Sequence, residues 1–399
     1  MSFGNMPIAN HFLSKAAFST EYFFELAPAY CDQCKMFQLM EQPAPNLMFH
    51  ENYAFFSGTS KKMAQYFEQL AEHYRTEFIL DGAQPFVVEL GSNDGIMLKH
   101  FARNNITHLG IEPSQNVAQV AISQGINTIS DYFSEPLAHK VVTQYGKADM
   151  IMAANVMCHI PDLPSVGRGV AHLLKPRGVF AFEDPYLGDM VSKTAYDQLY
   201  DEHVYIFSVH SVMHAFQSHG LEVFHVQPTK THGGSLRYYL CHKGAHNVRD
   251  SVRQQLAYEQ TIHLDTPLGF TNFKRNCEKN KFDLLTLLQT LKSDGKRVVG
   301  YAATSKSATL LNYCKIGPDL IEYICDTTPI KHNKYSPGMH IPIKPYETFQ
   351  QDKPDYAVLF AWNHAEEIFE KEQAFQNNGG KWITFVPHVS ILNECLAVS

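Results

Sequence analysis

Phe86-Val87-Val88-Glu89-Leu90-Gly91-Ser92-Asn93-Asp94-Gly95 reads as an apolar strand that runs into an acid and then a glycine-punctuated turn opening a helix. Gly91 and Gly95 suit a backbone that must turn tightly and approach a ligand. The turn lacks the third glycine and the G-x-G-x-x-G spacing of a pyrophosphate loop. It offers instead Glu89 at the strand end and Asn93 and Asp94 in the turn. These polar groups suit the amine and carboxylate of a cationic ligand better than phosphate charge.

Working outward, the next apolar run, residues 107–111, ends in Glu112, about 20 residues beyond the glycine turn, where a carboxylate can grip a ribose diol. The alternative for Glu112 is a surface charge at a strand end. Residues 125–128 read as a third strand, and 148–155, ending in Asn155, as a fourth buried parallel strand. Residues 173–183 read as a helix end, a Pro/Gly turn and a fifth strand. Five elements in this order and spacing resemble the class I S-adenosylmethionine (SAM) methyltransferase fold, with residues 86–95 as its first motif. That resemblance implies Glu89, Gly91, Asn93, Gly95, Glu112 and Asn155 as cofactor-binding residues.

At 399 residues, 45% hydrophobic and 18% charged, the chain has globular composition and room for two or three domains. A net charge of −7 argues against a general nucleic-acid binder, which needs a basic footprint. There is no apolar run of about 18 residues to span a bilayer and no leader pattern at the start, so no membrane partner is expected and the expected location is cytoplasmic. Eight scattered cysteines suit a reducing compartment rather than a disulfide framework. Only Cys31-Asp32-Gln33-Cys34 has ligand-like spacing. It offers two corners of a tetrahedral zinc site, and the bland reading is two reduced cysteines in a turn.

Residues 1–60 are aromatic and turn-rich without sustained periodicity and read as a small cap. Residues 61–245 read as the methyltransferase domain, opened by a helix to about Phe78. Residues 246–399 read as a polar helical connector followed by a second Rossmann-like α/β domain, the whole chain being α/β in class. The second domain's turn, residues 300–307, also lacks G-x-G-x-x-G. Its small residues and Lys306 at a helix start suit a phosphate, or else form a plain turn with a solvated lysine.

The catalytic candidate is residues 196–205, Tyr-Asp-Gln-Leu-Tyr-Asp-Glu-His-Val-Tyr. A histidine beside acids and tyrosines titrates near neutrality and has hydroxyl donors for a developing oxyanion. A solvated polar segment at a helix end is the alternative. Together with residues 4–10, 53–60, 183–187, 232–237, 300–306 and 335–342, these motifs give nearly the whole chain a resemblance to the sugar C-methyltransferases of bacterial deoxysugar biosynthesis.

That resemblance implies an N-terminal zinc-binding domain, a central SAM domain and a C-terminal α/β domain acting on a nucleotide-linked 4-keto-6-deoxy sugar. Carried over by position, it implies His203 as base with Tyr200 and Glu202 as partners. It also implies that Tyr53 helps close the sugar site and that Tyr186, His232, Arg237 and Lys306 bind substrate. Family members carry two C-x-x-C pairs, the first upstream of the Gly-Asn-Met-Pro-like segment, so Cys31 and Cys34 are expected as half a metal site. The competing expectations are a small-molecule O- or N-methyltransferase, which needs no α-proton base, and a non-catalytic clamp for a nucleotide sugar. Oligomeric state leaves no trace in the sequence.

Overall fold

The computed structural model describes residues 1–44, 47–48, 61–79 and 84–392. Its centre is a seven-stranded sheet in the spatial order Leu221–Thr229, Ser235–His242, Leu174–Pro185, Ala148–Ala154, Phe86–Leu90, Thr107–Ile111, Thr128–Ile129. The last five of these are mutually parallel, and Ser235–His242 runs antiparallel to both neighbours. Strand Phe86–Leu90 is buried at every position because it lies inside the sheet with helices on both faces.

The helix Lys61–Phe78 covers one face. Its Phe67, Leu70, Ala71 and Tyr74 fall on one stripe and pack with Val87, Met150, Val179 and Tyr239. Helices Glu135–Tyr145, Leu163–Leu173 and Val209–Gln217 cover the other face through Val141, Val166, Val170 and Phe216.

Three sequence expectations shift in detail. The Pro/Gly turn at 175–178 is a bulge inside one long strand, since Ala148 pairs with Leu174 but Met150 already pairs with Val179. The third strand is only Thr128–Ile129. The connector is two helices, Asp250–Thr261 and Pro267–Ser293, separated where His263 takes φ 57°.

A second, six-stranded sheet has the order Ile343–Pro345, Ile324–Asp326, Val298–Tyr301, Tyr356–Leu359, Lys381–Thr384, Ser390–Leu392. All but the last are parallel. In both sheets the first strand in sequence lies where the strand order reverses, the position at which open α/β sheets leave a crevice for a ligand.

The N-terminal residues are not a separate bead. Phe3, Met6, Phe24 and Phe37 share one core with Tyr196, Leu199, Phe273 and Leu310, so they pack the middle and the end of the chain together. Strand Phe37–Leu39 also pairs with Tyr205–Ile206, next to the segment that carries His203.

Candidate active site

The first crevice opens at the end of strand Phe86–Leu90. Gly91 takes φ +63°, and a Cβ there would stand 2.4 Å from Val156, in the loop after the neighbouring strand. Gly95 takes φ +77° against Ile126. Asn93 is also left-handed, at φ 49°, a conformation asparagine tolerates better than most residues. Its N–H donates to Glu112 Oε2 at 3.0 Å, and Ser114 N–H donates to Glu112 Oε1 at 2.8 Å, so Glu112 holds the loop as well as facing it.

Burial raises the pKa of Glu112, and it pushes that of Glu89 well above the carboxylate range, with the charges of Asp94 and Glu112 adding to the rise on Glu89. Glu89 Oε2 and Asn155 Oδ1 are buried without a hydrogen-bond partner. Three acids crowd one turn, and a ligand that brings positive charge and hydroxyl donors relieves them. SAM, with its ammonium, its sulfonium and a ribose diol, fits that donor set.

The second half of the site is the segment 196–205, clamped from three directions. Ala9 N–H donates to Asp201 Oδ1 at 2.8 Å and Asn10 Nδ2 to Glu202 Oε1 at 2.8 Å. Trp362 Nε1–H donates to Asp197 Oδ2 at 2.6 Å, and Thr309 Oγ1–H to the Leu199 carbonyl at 2.5 Å. Gln198 Nε2 donates to the His232 carbonyl at 2.5 Å.

Within this clamp His203 is buried, with Nδ1 2.6 Å from the Gln198 carbonyl. A carbonyl only accepts, so Nδ1 carries the proton and Nε2 the lone pair, on which the Tyr200 hydroxyl sits at 2.8 Å. Burial holds the ring well below the usual histidine range, with His159, His232 and Lys306 pushing the same way.

Around it stand His159, stacked at 5.3 Å and lowered to about 4 by burial, and His232, lowered to about 3 by burial and then by Lys306. Lys306 lies on the first turn of helix Ser305–Cys314, capped by Thr304. Its Nζ donates to the His232 carbonyl and to Asn363 Oδ1, both at 3.2 Å, and lies 4.9 Å over the Trp362 ring. Burial lowers it to about 8, while Asp197 pulls upward.

The structure brings together Tyr200, His203, His232 and Lys306, and it places three other expected residues elsewhere. Glu202 is buried on Asn10 rather than on His203, and burial followed by Asp201 raises it to about 8. The Tyr186 hydroxyl donates to Glu259 Oε1 at 3.0 Å, in a buried knot that also takes Val209 N–H and His210. Arg237 is 5% exposed and its guanidinium bonds Glu183, Gln227, Tyr66 and Tyr239, so it braces the sheet. Tyr53 lies outside the described residues.

Sequence reasoning passed over Cys158, His159 and the Trp362-Asn363-His364 turn. The available signal was position, since 158–159 and 362–364 each follow a strand at a switch point.

Cys31 and Cys34 sit together in one turn, with the Cys34 and Gln33 amides lowering the Cys31 thiol. Among the described residues no third metal ligand joins them, and the pair could fill two corners of a tetrahedral zinc site.

Comparison with known proteins agrees with this architecture. Residues 1–49 match the family described as "Putative zinc binding domain", 59–226 "Methyltransferase domain" and 230–387 "C-methyltransferase C-terminal domain". The C-methyltransferase NovU of Streptomyces niveus is 32% identical over 396 residues, covering 98% of this chain and 94% of that protein. The ubiquinone biosynthesis O-methyltransferase of Escherichia coli is 31% identical over 96 residues, 23% of this chain and 39% of that one. A SAM-dependent methyltransferase structure from Clostridium acetobutylicum aligns at TM-score 0.34 and 11% identity, covering 45% of this chain and 92% of that one. The full-length match to NovU and the C-terminal family match place this chain in the family of SAM-dependent C-methyltransferases.

Proposed function

We propose that this C-methyltransferase acts on a nucleotide-linked 4-keto-6-deoxy sugar, adding a methyl branch to the carbon beside the ketone during deoxysugar biosynthesis. The observation that carries the reading is the locked tautomer of His203. Its Nε2 lone pair meets the Tyr200 hydroxyl, its ring stacks on His159 from the loop after strand Ala148–Ala154, and the Lys306 charge acts on it from the second domain. In this reading residues 61–245 hold the cofactor, 246–399 the nucleotide, and 1–60 close the site.

Lys306, beside the His232 turn, takes the diphosphate, using its charge and the N-terminus of its helix. His203 Nε2 removes the proton next to the ketone. Tyr200 turns its hydroxyl from Nε2 to the enolate oxygen, where one such donor contributes roughly 3 kcal/mol. SAM, when bound, supplies an electrophilic methyl and a neutral thioether leaving group. The proton then passes from His203 to solvent. Anionic substrate also offsets Lys306, one of the charges that depress His203, so its basicity rises when there is a proton to remove.

The test mixes the protein with SAM and a panel of nucleotide-linked 4-keto-6-deoxy sugars and locates the methyl by fragmentation mass spectrometry. Carbon-bound methyl is expected, together with solvent deuterium entering the ketosugar without SAM. Methyl on oxygen or nitrogen sinks the reading in favour of a heteroatom methyltransferase, and sugar binding with SAM never consumed sinks it in favour of a clamp.

A further inference from the structure

The proposed base is itself one of three donor groups that converge on a single point, and methyl transfer has no use for the other two. Cys158 and His159, in the loop after strand Ala148–Ala154, and His203 bring one sulfur and two ring nitrogens within 4.8 Å of one another. The His159 and His203 rings stack with an interplanar angle of 22°. Cys158 is fully buried, and its thiol lies against the Asp184 carboxyl.

One thiolate with two neutral imidazoles is a donor set for zinc, cobalt(II) or cadmium, and it is a poor one for magnesium or calcium, which take oxygen. Burial disfavours charge on both rings and equally holds the Cys158 thiol protonated, so a metal must displace that proton to bind. Three protein ligands leave the fourth tetrahedral position open.

We propose that Cys158, His159 and His203 form an inhibitory site for a thiophilic divalent cation of the zinc type, which takes His203 out of proton transfer. Binding releases the Cys158 proton to solvent and forms one metal–sulfur and two metal–nitrogen bonds. The binding half of this proposal stands on the cluster alone. The inhibitory half rests on His203 being the base.

The test uses the full chain carrying Cys31→Ser and Cys34→Ser, which silences the other thiol pair, and titrates it with cobalt(II) alone. Tetrahedral d–d bands with a thiolate charge-transfer band at one equivalent are expected. Adding Cys158→Ser should remove the charge-transfer band and weaken binding about tenfold or more. If the double variant does not fold, the same comparison is made between wild type and Cys158→Ser as a difference spectrum. No spectral change at saturating cobalt, or charge transfer that survives Cys158→Ser, overturns the site. Zinc should slow methyl transfer reversibly by chelator, and Cys158→Ser should need about tenfold more zinc relative to its own metal-free rate. Stoichiometric metal with an undiminished rate leaves the site standing and removes both the inhibition and His203 as base.

Discussion

The two sheets share one design at their switch points and differ there in how charge is answered. Each has a strand at the switch point, a tight turn and a helix, and each places an acid at the end of the next strand that accepts a loop N–H. Glu112 accepts from Asn93, and Asp326 accepts from Ala303 at 2.8 Å. Asp326 has its own cation, Lys331 Nζ at 3.4 Å. The charges acting on Glu89, by contrast, are Asp94 and Glu112, both negative. The first loop therefore needs positive charge from outside, while the second has its acid answered internally and keeps a further cation, Lys306, buried against the His232 turn. Topology sets where a ligand sits, and the counter-charge the protein supplies or withholds sets the ligand's sign.

The hardest blow to this arrangement should come from the group between the crevices. His203→Ala is expected to cut turnover about 10²–10⁴-fold with the SAM dissociation constant unchanged by calorimetry; near-normal turnover removes it from the mechanism. Arg237 is buried against Glu183, so Arg237→Ala should cost roughly 3–5 kcal/mol in denaturant unfolding, because it strands that acid. A well-folded variant that fails only on substrate would restore Arg237 as a ligand.

Lys306→Met should raise KM for a nucleotide-linked substrate about 10–100-fold and spare SAM. Glu112→Ala should do the converse, weakening SAM about tenfold and sparing the nucleotide. If either change weakens both ligands alike, the division of labour between the loops is broken.

The smallest effect is one of slope. Glu202, raised to about 8 from 4.5, contributes stability that is present below its unfolded pKa and lost as pH rises through about 8. Urea midpoints at about pH 5 and about pH 9 should therefore fall less in Glu202→Gln than in wild type, and equal declines would contradict it.

What the sequence made legible was local. The strand-acid-glycine grammar of 86–95, the buried runs at 107–111 and 148–154, and the restart at 298–314 all appear as periodicity and punctuation. So did the His203 segment, because its polar residues interrupt apolar surroundings. What remained hidden were partnerships across the chain. Glu202 reads as a neighbour of His203, yet its carboxyl goes to Asn10, 192 positions away. Arg237 and Glu183 form a directly opposed pair only once the antiparallel register of their strands is known. Tyr186 lies within a motif that suggests a substrate, but Glu259, 73 positions on, claims its hydroxyl. Spacing along a chain cannot report such contacts, because side-chain direction at a strand end depends on what packs against it.

The clamp on residues 196–205 has a consequence for the order of assembly. Asn10 bonds Glu202 across 192 positions and receives Ser305 Oγ across 295. Contacts of such separation close late, because the entropy of bringing distant ends together must be met before they contribute. During synthesis, residues 9 and 10 emerge with their partners still unmade, and they wait until the second sheet exists. The full set of contacts that holds residues 196–205 therefore exists only in a finished chain.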